Sequence, residues 1–132
     1  MNKLDSDYLD KYKKLDETLA KRFDLKYGGV SEYIKRMEAT PEKKSAQVSG
    51  WKADYKDLKH LRWVRNQIAH STESSCASKE DYAKLGEMVS RFSKKTDPLS
   101  AAEKLKKPVG RILVIAAVLL AAAVFAWWKL SH

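Results

Sequence analysis

Cysteine is nearly absent from the 132-residue sequence, which contains only Cys76. One cysteine cannot form a disulfide within the chain, so nothing indicates a small secreted protein held together by disulfides. His60 and His70, taken together with Cys76, do not follow a standard zinc-ligand spacing. We therefore predict neither a metal site nor any other cofactor.

Strand-like patterns are also lacking, because no part of residues 1–97 alternates regularly between polar and apolar side chains. Apolar residues instead recur every three or four positions in four successive segments, which is the spacing of one helix face. The four sets are Leu4, Tyr8, Tyr12, Leu15, Leu19, Phe23 and Tyr27; Val30, Tyr33, Ile34 and Met37; Trp51, Tyr55, Leu58, Leu61, Val64 and Ile68; and Tyr82, Leu85, Val89 and Phe92. They predict an all-α, four-helix bundle over residues 1–97, whose modest core makes a homodimer plausible.

Glycine, proline and capping residues mark the breaks between these helices. The pair Gly28-Gly29 ends the first helix, because glycine accepts the left-handed conformation found at helix ends. Pro41 lies in the predicted loop "ATPEKKSAQ", and the third helix runs from near Ser49 to near His70. Ser78, with an acidic residue three positions later, predicts a capping box at the start of the fourth helix.

Charge is almost absent from residues 109–128, which contain one charged residue, Arg111. A helix of about 20 apolar residues spans about 30 Å, the thickness of a bilayer core. Trp127 and Trp128 suit the interface between water and lipid. We predict a transmembrane helix at 109–129, after a basic connector at 98–108 and before a short tail at 130–132.

Basic residues precede the predicted span, and the whole chain has a formal net charge of +9. By the positive-inside rule, this arrangement predicts a single-pass protein of the cell membrane with its soluble domain in the cytoplasm. The charged N-terminus "MNKLDSDYLDKYKK" does not resemble a signal peptide. The basic residues next to the span would be attracted to anionic membrane lipid.

The stretch "LKHLRWVRNQIAHS", residues 58–71, contains an arginine where the helical pattern requires an apolar residue. On a helical wheel started at Leu58, Arg65 lies at about 340°, between Leu61 at about 300° and Trp51 at about 20°. A buried guanidinium is costly unless it is paired. One interpretation is a stem packed on apolar neighbours and a head paired with a carboxylate. The other interpretation is that the Arg65 guanidinium pairs with a bound ligand instead of a carboxylate of the protein.

The segment "RNQIAH", Arg65 to His70, resembles the signature of HEPN domains, in which an arginine is followed after four to six residues by a histidine. A polar residue often follows the arginine directly, as Asn66 does here. The resemblance covers residues 1–97, and the segment closes the third helix of a four-helix bundle in that family. It implies metal-independent RNA cleavage by a homodimer, with Arg65 and His70 as catalytic residues and Asn66 as the supporting polar residue.

These residue types fit the chemistry that the resemblance implies. A neutral histidine can take the proton of a ribose 2′-hydroxyl, and a protonated one can supply the 5′-oxygen leaving group. Arginine can hold the phosphate and its growing charge. The expected products carry 2′,3′-cyclic phosphate and 5′-hydroxyl ends. Arg62, Lys59 and Trp63 are the predicted RNA contacts, and Trp63 could stack on a base.

The sequence is also compatible with other functions. HEPN-like bundles include non-catalytic members, so the alternative is an RNA-binding or protein-interaction module tethered to the membrane. A structural membrane protein, in which Arg65 is a paired core charge, is a further reading. By fold-level analogy, the resemblance also suggests a prokaryotic role in toxin–antitoxin systems, stress or anti-phage defence, with an inhibitory antitoxin protein as a partner.

Overall fold

A computed structural model describes residues 2–70, 76–105 and 124–130 of the protein. It contains α1 (Lys3–Arg22), α2 (Gly29–Ala39), α3 (Glu42–Ser45), α4 (Trp51–His70) and α5 (Lys79–Ser93). Residues 98–105 and 124–130 are helical as well. The described residues include no strand, so the all-α prediction is confirmed. The short α3 is an addition, because it lies in the segment predicted as a loop.

The core lies where α1 packs against α2, α4 and α5. Most of its largest fully buried side chains come from the predicted apolar stripes, and they are Tyr8, Leu15, Leu19, Val30, Tyr33, Ile34, Leu58, Leu61, Val64, Leu85 and Phe92. Met88 of α5 is also fully buried, although the predicted stripe contained its neighbour Val89, which is only partly buried. Tyr8 also donates a hydrogen bond from its hydroxyl to the carbonyl of Leu61, 2.6 Å away, which ties α1 to α4. The 3.6-residue periodicity of the sequence therefore identified the buried faces of the four long helices.

The end of α1 differs from the prediction. The helix ends at Arg22, and Asp24 adopts a left-handed conformation with φ of 58°. The chain thus leaves the helical register before Tyr27, which was assigned to the apolar stripe and is instead 83% exposed. Apolar residues three or four positions apart share one face only while the helix continues between them. Because α1 ends at Arg22, Tyr27 does not share its buried face.

The start of α2 lies directly against the backbone of α1. Gly28 has φ of +76°, and a Cβ added at Gly29 would overlap the carbonyl oxygen of Asp16 and the amide nitrogen of Ala20. The Asp16 carboxylate caps α2, because it accepts hydrogen bonds from the backbone N–H groups of Val30 at 2.9 Å and Gly28 at 3.2 Å. Glycine at position 29 therefore permits the contact, and Asp16 satisfies the first backbone donors of the new helix.

Two ion pairs, each formed by a buried aspartate and a partly exposed arginine, join segments that are distant in the sequence. The Arg91 guanidinium donates to both carboxylate oxygens of Asp54, at 3.0 and 2.6 Å, and links α5 to α4. Arg22 Nη1 lies 2.8 Å from the fully buried carboxylate of Asp97. Tyr33 also donates its hydroxyl proton to Asp97, so α1 and α2 both bind the segment that follows α5.

Packing against the bundle continues beyond Asp97. The backbone N–H of Leu99 donates to the Tyr33 hydroxyl at 2.8 Å, and Ala102 is buried in the core. Ser100 donates its hydroxyl proton to Asp97 Oδ1 at 2.8 Å. Burial alone would raise the pKa of Asp97, but the hydrogen bonds from Arg22, Tyr33 and Ser100 lower it below its ordinary value.

The predicted transmembrane helix is the part of the fold prediction that is wrong. Crossing a bilayer takes roughly 20 apolar helical residues, and no helix in the described parts of the chain combines that length with that apolar character. Of the predicted span at 109–129, residues 109–123 lie outside the described residues, and 124–130 form a much shorter helix. The cytoplasmic orientation depended on that span and stays a prediction.

Replacing Gly29 with alanine should destabilise the protein by roughly 1–3 kcal/mol or more, because the new methyl group overlaps the α1 backbone. Gly86→Ala is the matched control, since a Cβ there would meet only the flexible Lys11 side chain, at 3.4 Å. Alanine within a helix is favoured over glycine by about 0.5–1 kcal/mol, so the control should be as stable as the wild type or more stable. Urea denaturation of both variants measures the difference, and equal effects would contradict the close contact.

Asp97→Asn should destabilise the protein by roughly 3–5 kcal/mol, because it leaves Arg22 without its buried carboxylate. The folded-state pKa of Asp97 is depressed, so its stabilising contribution is complete above the unfolded pKa of about 3.9 and is lost as pH falls through the lower folded value. Thermal melts between pH 3 and 7 should therefore show a shallower acid dependence in Asp97→Asn than in the wild type. The exposed Asp10→Asn variant should keep both stability and pH profile.

Candidate nucleic-acid interface

A groove of about 560 Å³ opens between α1, the start of α2 and the second half of α4. Its lining consists of Leu9, Tyr12, Lys13, Asp16, Tyr27, Gly28, Ser31, Arg62, Arg65, Asn66 and Ala69. Three residues of this set, Arg62, Arg65 and Asn66, were predicted from the sequence as site residues. The groove therefore collects part of the predicted site on one surface of a single chain.

Arg65 is exposed, so the expectation that it lies on the buried side of its helix is wrong for the single chain. Its neighbours in the stripe, Leu61, Val64 and Ile68, are buried as predicted. The difference arises because Arg65 faces the groove, where solvent rather than another helix covers α4. Its guanidinium Nη1 donates a hydrogen bond to Asn66 Oδ1 at 3.1 Å. Within the described residues, no carboxylate lies within salt-bridge distance of Arg65.

Arg62 lies one turn before Arg65 and is partly buried. Its Nη1 lies 3.4 Å from the hydroxyl of Ser31 on α2, a long hydrogen bond to a neutral group. Burial and the Asp16 carboxylate raise the pKa of the Tyr12 phenol, whereas Arg65 and Arg62 oppose that rise. The positive potential of the two arginines thus extends to the buried tyrosine that lines the groove.

Asp16 is the one acidic residue among the described groove-lining side chains. Both of its oxygens accept backbone hydrogen bonds from the start of α2, at Val30 and Gly28. A carboxylate at a helix N-terminus is stabilised there by the helix dipole. Asp16 is therefore held by α2, and neither groove arginine forms a salt bridge with it.

His70 is the last residue of α4 and is exposed, but it does not line the groove. Residues 71–75 after it lie outside the described residues, and the chain is described again at Cys76. There the backbone N–H groups of Cys76 and Ala77 donate to the buried carboxylate of Asp5, at 3.2 and 3.0 Å to Oδ1. The sequence offered no signal for this contact, since an acidic residue in a first helical turn is common on electrostatic grounds alone.

Trp63 and Lys59, the other predicted RNA contacts, lie outside the groove. Trp63 is 57% exposed and stacks on His60, with ring centroids 6.0 Å apart. His60 Nε2 lies 2.9 Å from Asp81 Oδ1, on the residue that completes the predicted capping box with Ser78. Lys59 Nζ lies 5.1 Å from the ring centroid of Tyr55. Of the predicted RNA contacts, Arg62 therefore lies in the groove, whereas Trp63 and Lys59 lie on a second exposed surface of α4.

Sequence reasoning missed Lys13, Tyr27 and Ser31, which contribute the other functional groups of the groove. They come from α1, the α1–α2 connection and α2, and the packing of α1 and α2 against α4 places them beside Arg62 and Arg65. Within residues 2–70, 76–105 and 124–130, no three side chains of the metal-binding types converge on one point. The site is therefore a basic groove, with the exposed ring of Tyr27 in its lining.

Residues 6–112 match the model of a family described as a family of unknown function (DUF6548), and the chain belongs to that family. No curated protein and no solved structure matches the chain. The resemblance of "RNQIAH" to the HEPN signature stays a prediction.

Proposed function

We propose that the protein is a metal-independent endoribonuclease that acts as a homodimer, with Arg65, Asn66 and His70 as its site residues. The observation that carries the proposal is the state of Arg65. Its guanidinium is exposed at a groove, is oriented by a neutral amide 3.1 Å away, and has no carboxylate partner among the described residues. Such a guanidinium can bind a phosphate through two parallel hydrogen bonds.

Each residue has a distinct role in this reaction. Arg65 holds the phosphate and stabilises the negative charge that develops on its oxygens. Asn66 keeps the guanidinium in place through its side-chain oxygen. A neutral His70 accepts the proton of the ribose 2′-hydroxyl, whose oxygen then attacks phosphorus. The bond to the 5′-oxygen breaks, and that oxygen takes a proton from a protonated histidine.

The need for two histidines supports a dimer. The reaction requires one group that accepts a proton and one that donates a proton, whereas "RNQIAH" supplies one histidine per chain. His70 also does not line the groove that Arg65 lines within its own chain. A two-fold contact along the second half of α4 would bring two copies of the motif together, because the same patch then faces itself.

A non-catalytic RNA-binding module is the second candidate, and the position of His70 outside the groove favours it. In that case the basic groove and the exposed Trp63 would bind RNA by charge and stacking, without a proton-transfer step. The two candidates predict the same binding but different products, so an assay that separates binding from cleavage decides between them.

The full-length protein should cleave single-stranded RNA in the presence of a chelator and leave 2′,3′-cyclic phosphate ends. His70→Ala should lower the rate by roughly 10²–10⁴-fold, the usual cost of removing an acid–base group. Arg65→Ala should abolish cleavage without a large change in melting temperature, because its side chain is exposed. Arg36→Ala, an arginine of α2 that pairs with Glu32 outside the groove, is the matched control and should cleave normally.

Full activity in His70→Ala would defeat the ribonuclease proposal, since the cleavage would then come from another group or from a contaminant. RNA binding by a wild-type protein that yields no cyclic phosphate ends would instead favour the binding module. Light scattering in the same buffer tests the dimer, and a monomer that cleaves at full rate would contradict a composite site.

A further inference from the structure

The arginines of the described residues fall into two groups. Arg22, Arg36 and Arg91 each form a salt bridge with a carboxylate. Arg62 and Arg65 form none among the described residues, and both line the same groove. Among the described residues, their side chains form hydrogen bonds with the neutral groups of Ser31 and Asn66. The two guanidinium groups without an anionic partner are therefore concentrated at one place.

Their spacing suits a single shared anion. Residues three apart on a helix have Cβ atoms about 5–6 Å apart, so Arg62 and Arg65 are neighbours on the surface of α4. Like charges at this spacing repel, and an anion between them would remove the repulsion. Lys13 adds a third cationic side chain from α1, while the carboxylate of Asp16 is engaged with the start of α2.

The remaining lining offers a site for an aromatic base. Tyr27 lines the groove with 83% of its surface exposed, although a tyrosine usually buries much of its ring. Leu9, Tyr12 and Ala69 contribute apolar surface to the same groove. Exposed aromatic rings beside cationic side chains are the usual means of binding unpaired nucleotides, because every base has a face that can stack.

We propose that this groove binds one nucleotide of single-stranded RNA, with its phosphate between Arg62 and Arg65 and its base on the ring of Tyr27. The volume of about 560 Å³ falls within the range of about 300–1,000 Å³ typical of small-ligand sites. Ser31 and Asn66 lie within the same lining as neutral hydrogen-bonding groups. The inference rests on the proposed function for its substrate class, but it concerns binding by one chain and requires no cleavage.

The test measures equilibrium binding by the full-length His70→Ala protein, so that RNA stays intact. The probes are a fluorescent single-stranded oligoribonucleotide, a free nucleoside monophosphate and inorganic phosphate. Tyr27→Ala should weaken oligonucleotide binding by roughly 5- to 150-fold, the range expected from loss of one stacked base. Tyr27→Phe retains the ring and should restore binding. Arg62→Gln and Lys13→Gln should weaken binding and reduce its salt dependence.

Arg36→Gln, which changes an exposed arginine outside the groove, is the control and should bind as the parent does. Melting temperatures of all variants establish that they remain folded, which the exposure of Tyr27 and Lys13 leads us to expect. The nucleoside monophosphate should bind more tightly than phosphate and compete with the oligonucleotide. Competition shows that a free nucleotide occupies the same site as a nucleotide within RNA.

The inference is overturned if Tyr27→Ala, Arg62→Gln and Lys13→Gln all bind the oligonucleotide as the parent does. Equal affinity for phosphate and nucleotide would likewise overturn it, because the ring would then contribute nothing. Its failure is distinct from failure of the ribonuclease proposal. Cleavage that depends on His70 can persist when Tyr27→Ala binds normally, whereas groove binding without cyclic phosphate products leaves the groove assignment intact and removes catalysis.

Discussion

The contact of α2 with the backbone of α1 at Gly29 determines both the shape and the charge of the groove. Because position 29 has no Cβ, the start of α2 can lie against α1, and Asp16 can cap it. This capping engages the one acidic side chain among the described groove-lining residues. Arg62 and Arg65 therefore face a groove whose carboxylate is already bound to α2. A backbone packing constraint thus leaves two cationic groups available to a ligand.

Buried carboxylates also determine which arginines hold the helices together. Asp97 and Asp54 are buried and bind Arg22 and Arg91, so each pair joins segments that are distant in the sequence. Removing either arginine would leave a buried carboxylate unpaired, which is why such pairs stabilise a particular arrangement of helices. The placement of a few aspartates therefore separates the arginines that join helices from Arg62 and Arg65, which have no carboxylate partner among the described residues.

Helical periodicity predicted the fold well because burial along one helix depends mainly on its own repeating pattern. The stripe of α4 and the capping box at Ser78 are confirmed on that basis. Periodicity failed at Tyr27, where a left-handed residue at Asp24 ends the register, and at Arg65, where no neighbouring helix covers the predicted inner face. Whether another helix covers a given face depends on tertiary packing. Local sequence therefore could not predict that Lys13 and Ser31 line the groove.

The two halves of "RNQIAH" have different surroundings. Arg65 and Asn66 line the groove that one chain forms, whereas His70 ends α4 outside that groove. The α1 helix contributes Tyr12 to the groove, and its Asp5 carboxylate accepts hydrogen bonds from the backbone N–H groups of Cys76 and Ala77. In the proposed reaction, the phosphate therefore binds within one chain, whereas proton transfer requires a second copy to bring a histidine to the bound phosphate. Under that proposal, RNA binding is a property of the monomer, and cleavage arises only when two bundles associate through α4.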